Sequence, residues 1–179
     1  MVQLATSKTA EAGPESVSVR EIARQASVSA SAAYRHFSDK DELLRAVKQV
    51  VLDALAVRME QALSCGSSDP FQRLQAAGRA YVGFAIEEPM LFRSMSSGFP
   101  VPSGKWEGTP LGDLVDLVRA ALPARDEDAV TERAVALWSI VHGFAILCTQ
   151  GALKEVDQAR RERLLESALE LAMRGLRES

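Results

Sequence analysis

Residues 18–40 read Ser18-Val19-Arg20-Glu21-Ile22-Ala23-Arg24-Gln25-Ala26-Ser27-Val28-Ser29-Ala30-Ser31-Ala32-Ala33-Tyr34-Arg35-His36-Phe37-Ser38-Asp39-Lys40. Ser18 with Glu21 three residues on makes a capping box, and Val19, Ile22, Ala23 and Ala26 recur on one face, which predicts a helix over 18–26. Ser27-Val28-Ser29 then supplies a tight turn. Ser29 caps a second short helix over 30–36, on which Ala33 and Phe37 lie one turn apart and face inward with Val28. Ser31, Ala32, Tyr34 and Arg35 are left outward. Ser38, with Asp41 three residues later, starts a third helix.

Two short helices joined by a tight turn, the second bearing small and hydrogen-bonding residues outward, meet the steric needs of entry into a DNA major groove. Arg35 can offer two donors to a guanine, and Tyr34 or Lys40 can reach phosphate. A helical hairpin that only packs would show the same periodicity, so spacing leaves both readings open. Charge adds a little: residues 18–40 hold four basic side chains (Arg20, Arg24, Arg35, Lys40) against two acidic ones (Glu21, Asp39). The whole chain, with 21 Lys plus Arg against 24 Asp plus Glu and a net charge of -3, has no general attraction for polyanions. Any nucleic-acid function must therefore rest on this local patch.

Outward from this stretch, breakers divide the rest of the 179 residues. Asp69-Pro70 and Thr109-Pro110 read as a capping residue followed by the first helical position, where proline loses only an N–H that would be unpaired anyway. Gly13, Gly66 and Gly151 stand where helical runs stop. The expected helices span 2–12, 18–26, 30–36, 39–64, 70–87, 88–95, 110–121, 127–150 and 157–176. Residues 96–109 hold three glycines and two prolines and form the one long irregular connection. The fold class is all-α: an N-terminal three-helix helix-turn-helix head over 1–45 on a larger helical body over 46–179. No uninterrupted apolar run approaches the length of a membrane span, and the first residues lack the basic-then-apolar order of a secretory signal, so an intracellular, cytoplasmic protein is expected.

Val19-Arg20-Glu21-Ile22-Ala23, then Val28-Ser29, Ala33-Tyr34-Arg35-His36-Phe37 and Lys40-Asp41-Glu42-Leu43-Leu44, resembles the DNA-binding head of TetR-type transcriptional regulators. Trp138-Ser139-Ile140-Val141-His142-Gly143 is similar to the Trp-x-x-x-His-Gly signature of one group of TetR-type ligand-binding domains. The resemblance implies a homodimeric repressor that binds a double-stranded operator and is released by a small-molecule effector. It implies that Ser31, Ala32, Tyr34, Arg35 and His36 lie on the recognition helix and that Lys40 touches the DNA backbone. With Ser18, Arg20 and Ser29 these complete the candidate DNA-binding set. Two departures stand out. Ser27 occupies a turn position where such regulators usually carry glycine, and Thr6 and Thr9 stand where the first helix normally buries apolar groups. No basic arm precedes that helix. A helical ligand-binding or interaction protein with weakened DNA binding is the alternative, supported by the weak first helix and the low charge of the head.

In the body, helix 127–150 is apolar nearly all round, and helix 157–176 adds an apolar stripe. Together they predict half of a four-helix dimer interface, with Val141, Cys148, Leu165, Leu169, Ala172 and Leu176 as candidate contacts. Tyr81, Phe84, Met95, Phe99, Trp106, Trp138 and His142 are the candidate ligand-binding residues, because aromatics and methionine suit adaptable apolar sites; ordinary core packing would use the same residue types. Cys65 and Cys148 are far apart and without neighbouring histidines, which argues against zinc, and they read as small buried hydrophobes. No nucleophile elbow, phosphate-cradling glycine loop or His-Glu-x-x-His occurs, so neither a catalytic residue nor a metal or cofactor is expected.

Overall fold

The computed structural model describes residues 1–96, 108–122 and 126–178. Among these, every regular element is helical: α1 Val2–Ala12, a short 3-10 turn Pro14–Ser16, α2 Val19–Gln25, α3 Ala30–His36, α4 Lys40–Ser64, α5 Pro70–Glu87, α6 Pro89–Ser96, α7 Pro110–Ala121, α8 Glu127–Gln150 and α9 Gln158–Glu178. The punctuation read from the sequence acts as expected at several ends. The Thr109 hydroxyl accepts from Gly112 N at 3.2 Å ahead of Pro110, and Asp126 caps α8 by accepting from Ala129 N at 2.8 Å.

The described residues form two compact units. The head takes in Met1–Leu55 and also α6; the body takes in Ala56–Glu87 and the described residues from 108 onward. The division expected at residue 45 thus lies inside α4, some distance before the change of unit, and α6 groups with the head through its packing on α1 and the 3-10 turn. The head core includes Ala5, Val17, Val19, Ile22, Ala23, Ala33, Leu43, Val47 and Phe92, with Thr9 fully buried among apolar groups. Thr9 satisfies its own hydroxyl by donating to the Ala5 carbonyl at 2.8 Å, so the polar atom that the sequence places in this core is not left unpaired.

In the body, α5, α7, α8 and α9 pack on one another around Leu74, Val115, Val118, Val130, Ala134, Leu137, Ala172, Met173 and Leu176. Gly78 lets α5 approach α9 closely, because a Cβ there would meet Leu169 Cδ2 at 2.8 Å. One sequence expectation needs correction. Although no uninterrupted apolar run is long enough, α8 does contain an 18-residue window of mean hydropathy 1.3, long and apolar enough by composition to cross a membrane; 33% of that window is buried within the chain. Small and neutral polar residues such as Ser139 and Gly143 interrupt the apolar run without lowering the average to that of a surface helix.

Candidate DNA-binding head and ligand cavity

The turn between α2 and α3 is built from backbone hydrogen bonds. Val28 N donates to Ala23 O at 2.9 Å and Ser27 N to Arg24 O at 3.2 Å, the paired bonds that close a helix through a left-handed residue. That residue is Ser27, at φ 56. A serine there carries a Cβ where glycine would carry none, which costs about 1 kcal/mol. Ser29 then caps α3, its hydroxyl accepting from Ala32 N at 3.2 Å.

α3 buries Ala33 completely, half-buries Ala32 and exposes Ser31, Tyr34, Arg35 and His36. Ser18, Arg20 and Ser29 are exposed as well. Val28, expected inward, is 38% exposed.

Two local bonding expectations are corrected. Ser18 stands at the N-cap of α2 but its side chain makes no capping bond, and Glu21 turns instead to Arg24 (2.9 and 2.7 Å) and Gln25 (2.8 Å). These partners hold the Glu21 carboxyl down at about 2. At α4, Asp39 rather than Ser38 does the capping: Asp39 Oδ1 accepts from Glu42 N at 2.7 Å, while Glu42 accepts from Ser38 N at 2.6 Å. Lys40 directs its ammonium to the carbonyl of Glu15 at 2.9 Å and so ties the start of α4 to the 3-10 turn.

In the body, Met59, Leu74, Gly78, Tyr81, Leu114, Leu137, Trp138, Val141, Leu169 and Met173 surround a cavity of about 30 Å³. Such a space holds little more than one water. At its edge stands an aromatic cluster. The Tyr81 hydroxyl lies 2.9 Å from His142 Nδ1, the Trp138 and His142 rings stack at 5.4 Å and 10°, and Tyr81 meets Trp138 edge-on at 5.1 Å. Burial pushes the Tyr81 phenol well up and the His142 imidazole down, so both are neutral near pH 7, and which of the two donates in their bond follows from the imidazole tautomer.

Of the residues proposed from the sequence for a ligand, the structure brings together Tyr81, Trp138 and His142. Phe84 is buried but does not line the cavity, and Met95 is buried on α6 within the head. Phe99 and Trp106 lie outside the described residues. Met59, Leu74, Leu114 and Met173 line the cavity and were missed. Each comes from a different helix, and the only sequence signal was an apolar residue at core spacing.

The candidate dimer contacts are also placed differently from expectation. Cys148, Leu165, Leu169, Ala172 and Leu176 are each at most 9% exposed in the single chain, and Val141 faces the cavity. They belong to the chain's own core. On the same helices Val135, Ile140 and Leu147 of α8 and Leu164 and Leu171 of α9 are exposed, Leu171 by 69%. Among the described residues no group of three His, Cys, Asp or Glu side chains is arranged to hold a metal ion. Cys65 is exposed, against the expectation of burial, and Cys148 is buried.

Comparison with known proteins places this architecture. Residues 4–47 match the bacterial regulatory proteins of the tetR family, and residues 74–172 match the tetracyclin repressor-like C-terminal domain. An HTH-type transcriptional repressor of Mycobacterium tuberculosis is 33% identical over 138 residues, which are 76% of this chain and 64% of that protein. The match thus spans less than two thirds of the relative's length. A protein of unknown function from Rhodococcus sp. RHA1 superposes with a TM-score of 0.79 at 24% identity, covering 97% of this chain and 92% of that one. A TetR from Acinetobacter baumannii, solved in complex with minocycline, superposes with a TM-score of 0.72 at 17% identity over 99% of this chain and 94% of that one. At these identities the two superpositions speak for the fold, and the matched C-terminal domain covers more than half of the chain. With a helix-turn-helix head and a four-helix body in the order that those matches require, the chain belongs to the TetR family of bacterial regulatory proteins.

Proposed function

We propose that this protein is a dimeric, DNA-binding transcriptional regulator, a repressor released from its operator by a small, mostly apolar molecule. The observation that carries this reading is α3, which follows a tight hydrogen-bonded turn and exposes Ser31, Tyr34, Arg35 and His36 on a face kept narrow by Ala32. In this reading Arg35 reads a base, while Tyr34, Ser29, Ser18 and Arg20 position the helix on phosphates. The bond from Lys40 to Glu15 O uses one of three ammonium hydrogens and leaves two for a phosphate. Residues 1–45 then form the DNA-binding domain and 46–179 the effector-binding and dimerisation domain, in the cytoplasm where the chromosome lies. The test is a mobility shift with DNA flanking the protein's own coding region. Retention that weakens steeply with salt supports the proposal, and no retention on any flanking fragment at low salt counts against it.

Dimerisation follows from what the single chain leaves uncovered. The apolar window of α8 is mostly unburied, and Ile140 and Leu147 together with Leu164 and Leu171 of α9 offer the apolar surface that a second copy would bury. The effector reading rests on the Tyr81, Trp138 and His142 cluster and on the similarity of Trp138-x-x-x-His142-Gly143 to a ligand-domain signature. A drug-sized ligand needs roughly 300 Å³ or more, far beyond the present cavity, so its entry must push the lining helices apart. A ligand that prefers the opened form weakens operator binding by the same factor that operator weakens ligand binding. The reading includes no catalysis and no metal or cofactor. The alternative, an interaction protein with weakened DNA binding, draws support from the pairing of Arg24 with Glu21, which cancels part of a modest basic patch.

A further inference from the structure

A second cleft lies in the body, apart from the residues around the Tyr81 cluster. It has a volume of about 560 Å³ and is bordered by the C-terminal half of α5, by Phe144 of α8 and by the first turns of α9. Its floor is apolar, made by Val82, Ile86, Phe144 and Leu165. Its walls are charged, and most of the charges are already matched. Arg79 holds Glu166 through two bonds of 2.6 Å, Arg58 holds Glu87 through bonds of 2.5 and 2.6 Å, and Glu162 accepts from Gln158 at 2.8 Å. Arg161 is different. Its Nε is shut off from solvent and has no hydrogen-bond partner, and among the described residues no carboxylate pairs with its guanidinium. A half-buried guanidinium that no carboxylate pairs with is costly unless an anion supplies the partner. Arg161 borders the cleft together with the apolar Phe144 and Leu165.

We propose that this cleft binds an amphiphilic monocarboxylate, its carboxylate paired with Arg161 and its hydrocarbon portion laid over Val82, Ile86, Phe144 and Leu165. Planar guanidinium and carboxylate match in a two-bond geometry, which the two Nη nitrogens, not shut off as Nε is, can supply. The three glutamates on the walls limit the site to a single anionic group: Glu166 and Glu87 are held by other arginines, and Glu162 repels a second negative charge. The site is separate from the effector cavity, so this inference stands or falls independently of the proposed DNA-binding function.

The probe is decanoate, with decanamide as its uncharged counterpart, titrated by calorimetry into the full chain. Wild-type protein is expected to bind decanoate more tightly than decanamide. Arg161→Gln should weaken decanoate at least about tenfold and leave decanamide unchanged. Arg161→Lys, which keeps the charge but not the fork, should restore part of the loss. A Trp138→Phe variant should bind decanoate as wild type does, which separates this cleft from the aromatic cavity. Equal affinity of wild type and Arg161→Gln for decanoate would overturn the proposal, as would the absence of any decanoate binding to folded wild-type protein. Circular dichroism on each variant ensures that lost binding is not lost folding.

Discussion

The head and the body use hydrophobic residues for different ends, and the contrast explains why one is the easier to read. In the head, consecutive residues make the site: a turn, a cap and the outward face of α3 all lie within 18–40, and the core beneath needs only small groups such as Ala23 and Ala33. In the body, the cavity and the aromatic cluster draw on five helices, and two of those helices, α8 and α9, carry one apolar stripe for the chain's own core and a second one outside it. Local chemistry specifies the first kind of site, whereas packing choices among distant segments specify the second.

The contrast is sharpest between neighbours on α9. Leu169 is 1% exposed and touches the space left by Gly78, whereas Leu171 is 69% exposed. Leu169→Glu should cost about 4 kcal/mol or more and unfold the body, because an unpaired charge would enter the core. Leu171→Glu should leave the stability of the isolated chain within about 0.5 kcal/mol and act instead on self-association. Thermal unfolding with sedimentation on both variants checks this; a folded Leu169→Glu monomer would return Leu169 to the interface.

Next in size is the effect on the head. Arg35→Ala should cost about 1–3 kcal/mol of operator binding and relax preference at one base position, while Lys40→Ala should weaken all duplexes about equally and flatten the salt dependence. Binding isotherms at several salt concentrations separate the two. Ser27→Gly tests the turn that presents α3. Relief of the strained φ of 56 should raise head stability by about 1 kcal/mol, less whatever glycine adds to the freedom of the unfolded chain. Denaturant midpoints of the variant and wild type give the sign.

The smallest effect belongs to the body. Burial holds the His142 pKa below the ordinary 6.5, so just below pH 6.5 the unfolded chain binds more protons than the folded one. Stability should therefore fall as pH drops through 6.5 and level off once the pH is below the lowered folded value. His142→Phe should remove this component, which unfolding midpoints measured across that range would register. An unchanged slope would mean that His142 is not buried as a neutral imidazole.

These contrasts also mark how far the sequence could be read. Helix limits were legible because Thr109-Pro110, Asp69-Pro70 and the glycines act within one turn of themselves, and α3, α5, α7 and α8 have the expected bounds. Capping partners were less so. Ser18 and Ser38 have the right spacing to Glu21 and Asp41, but Arg24 competes for Glu21 and Asp39 lies closer to the α4 amides. The positive φ at Ser27 was signalled only by the resemblance, since TetR-type regulators usually carry glycine at that position. Which apolar faces the chain covers by itself was not legible, because an amphipathic stripe says that a face is covered without saying by what. On α9 the denser stripe of Leu165, Leu169, Ala172, Met173 and Leu176 went to the chain's own core, which removes the most apolar area from water. The sparser set of Leu164 and Leu171 was left outside. Apolar spacing likewise gave no hint that α6, which carries Met95, groups with the head.

The central claim is that α3 reads duplex DNA as one of a symmetric pair. It is tested most directly by selecting from a pool of random duplexes at low salt with the full chain and sequencing what is retained. The account predicts enrichment of a roughly palindromic site whose half-sites lie about one or a few helical turns apart, and loss of preference at one position in each half with Arg35→Ala. Retention of no sequence above the starting pool, by protein shown to be folded, would contradict it.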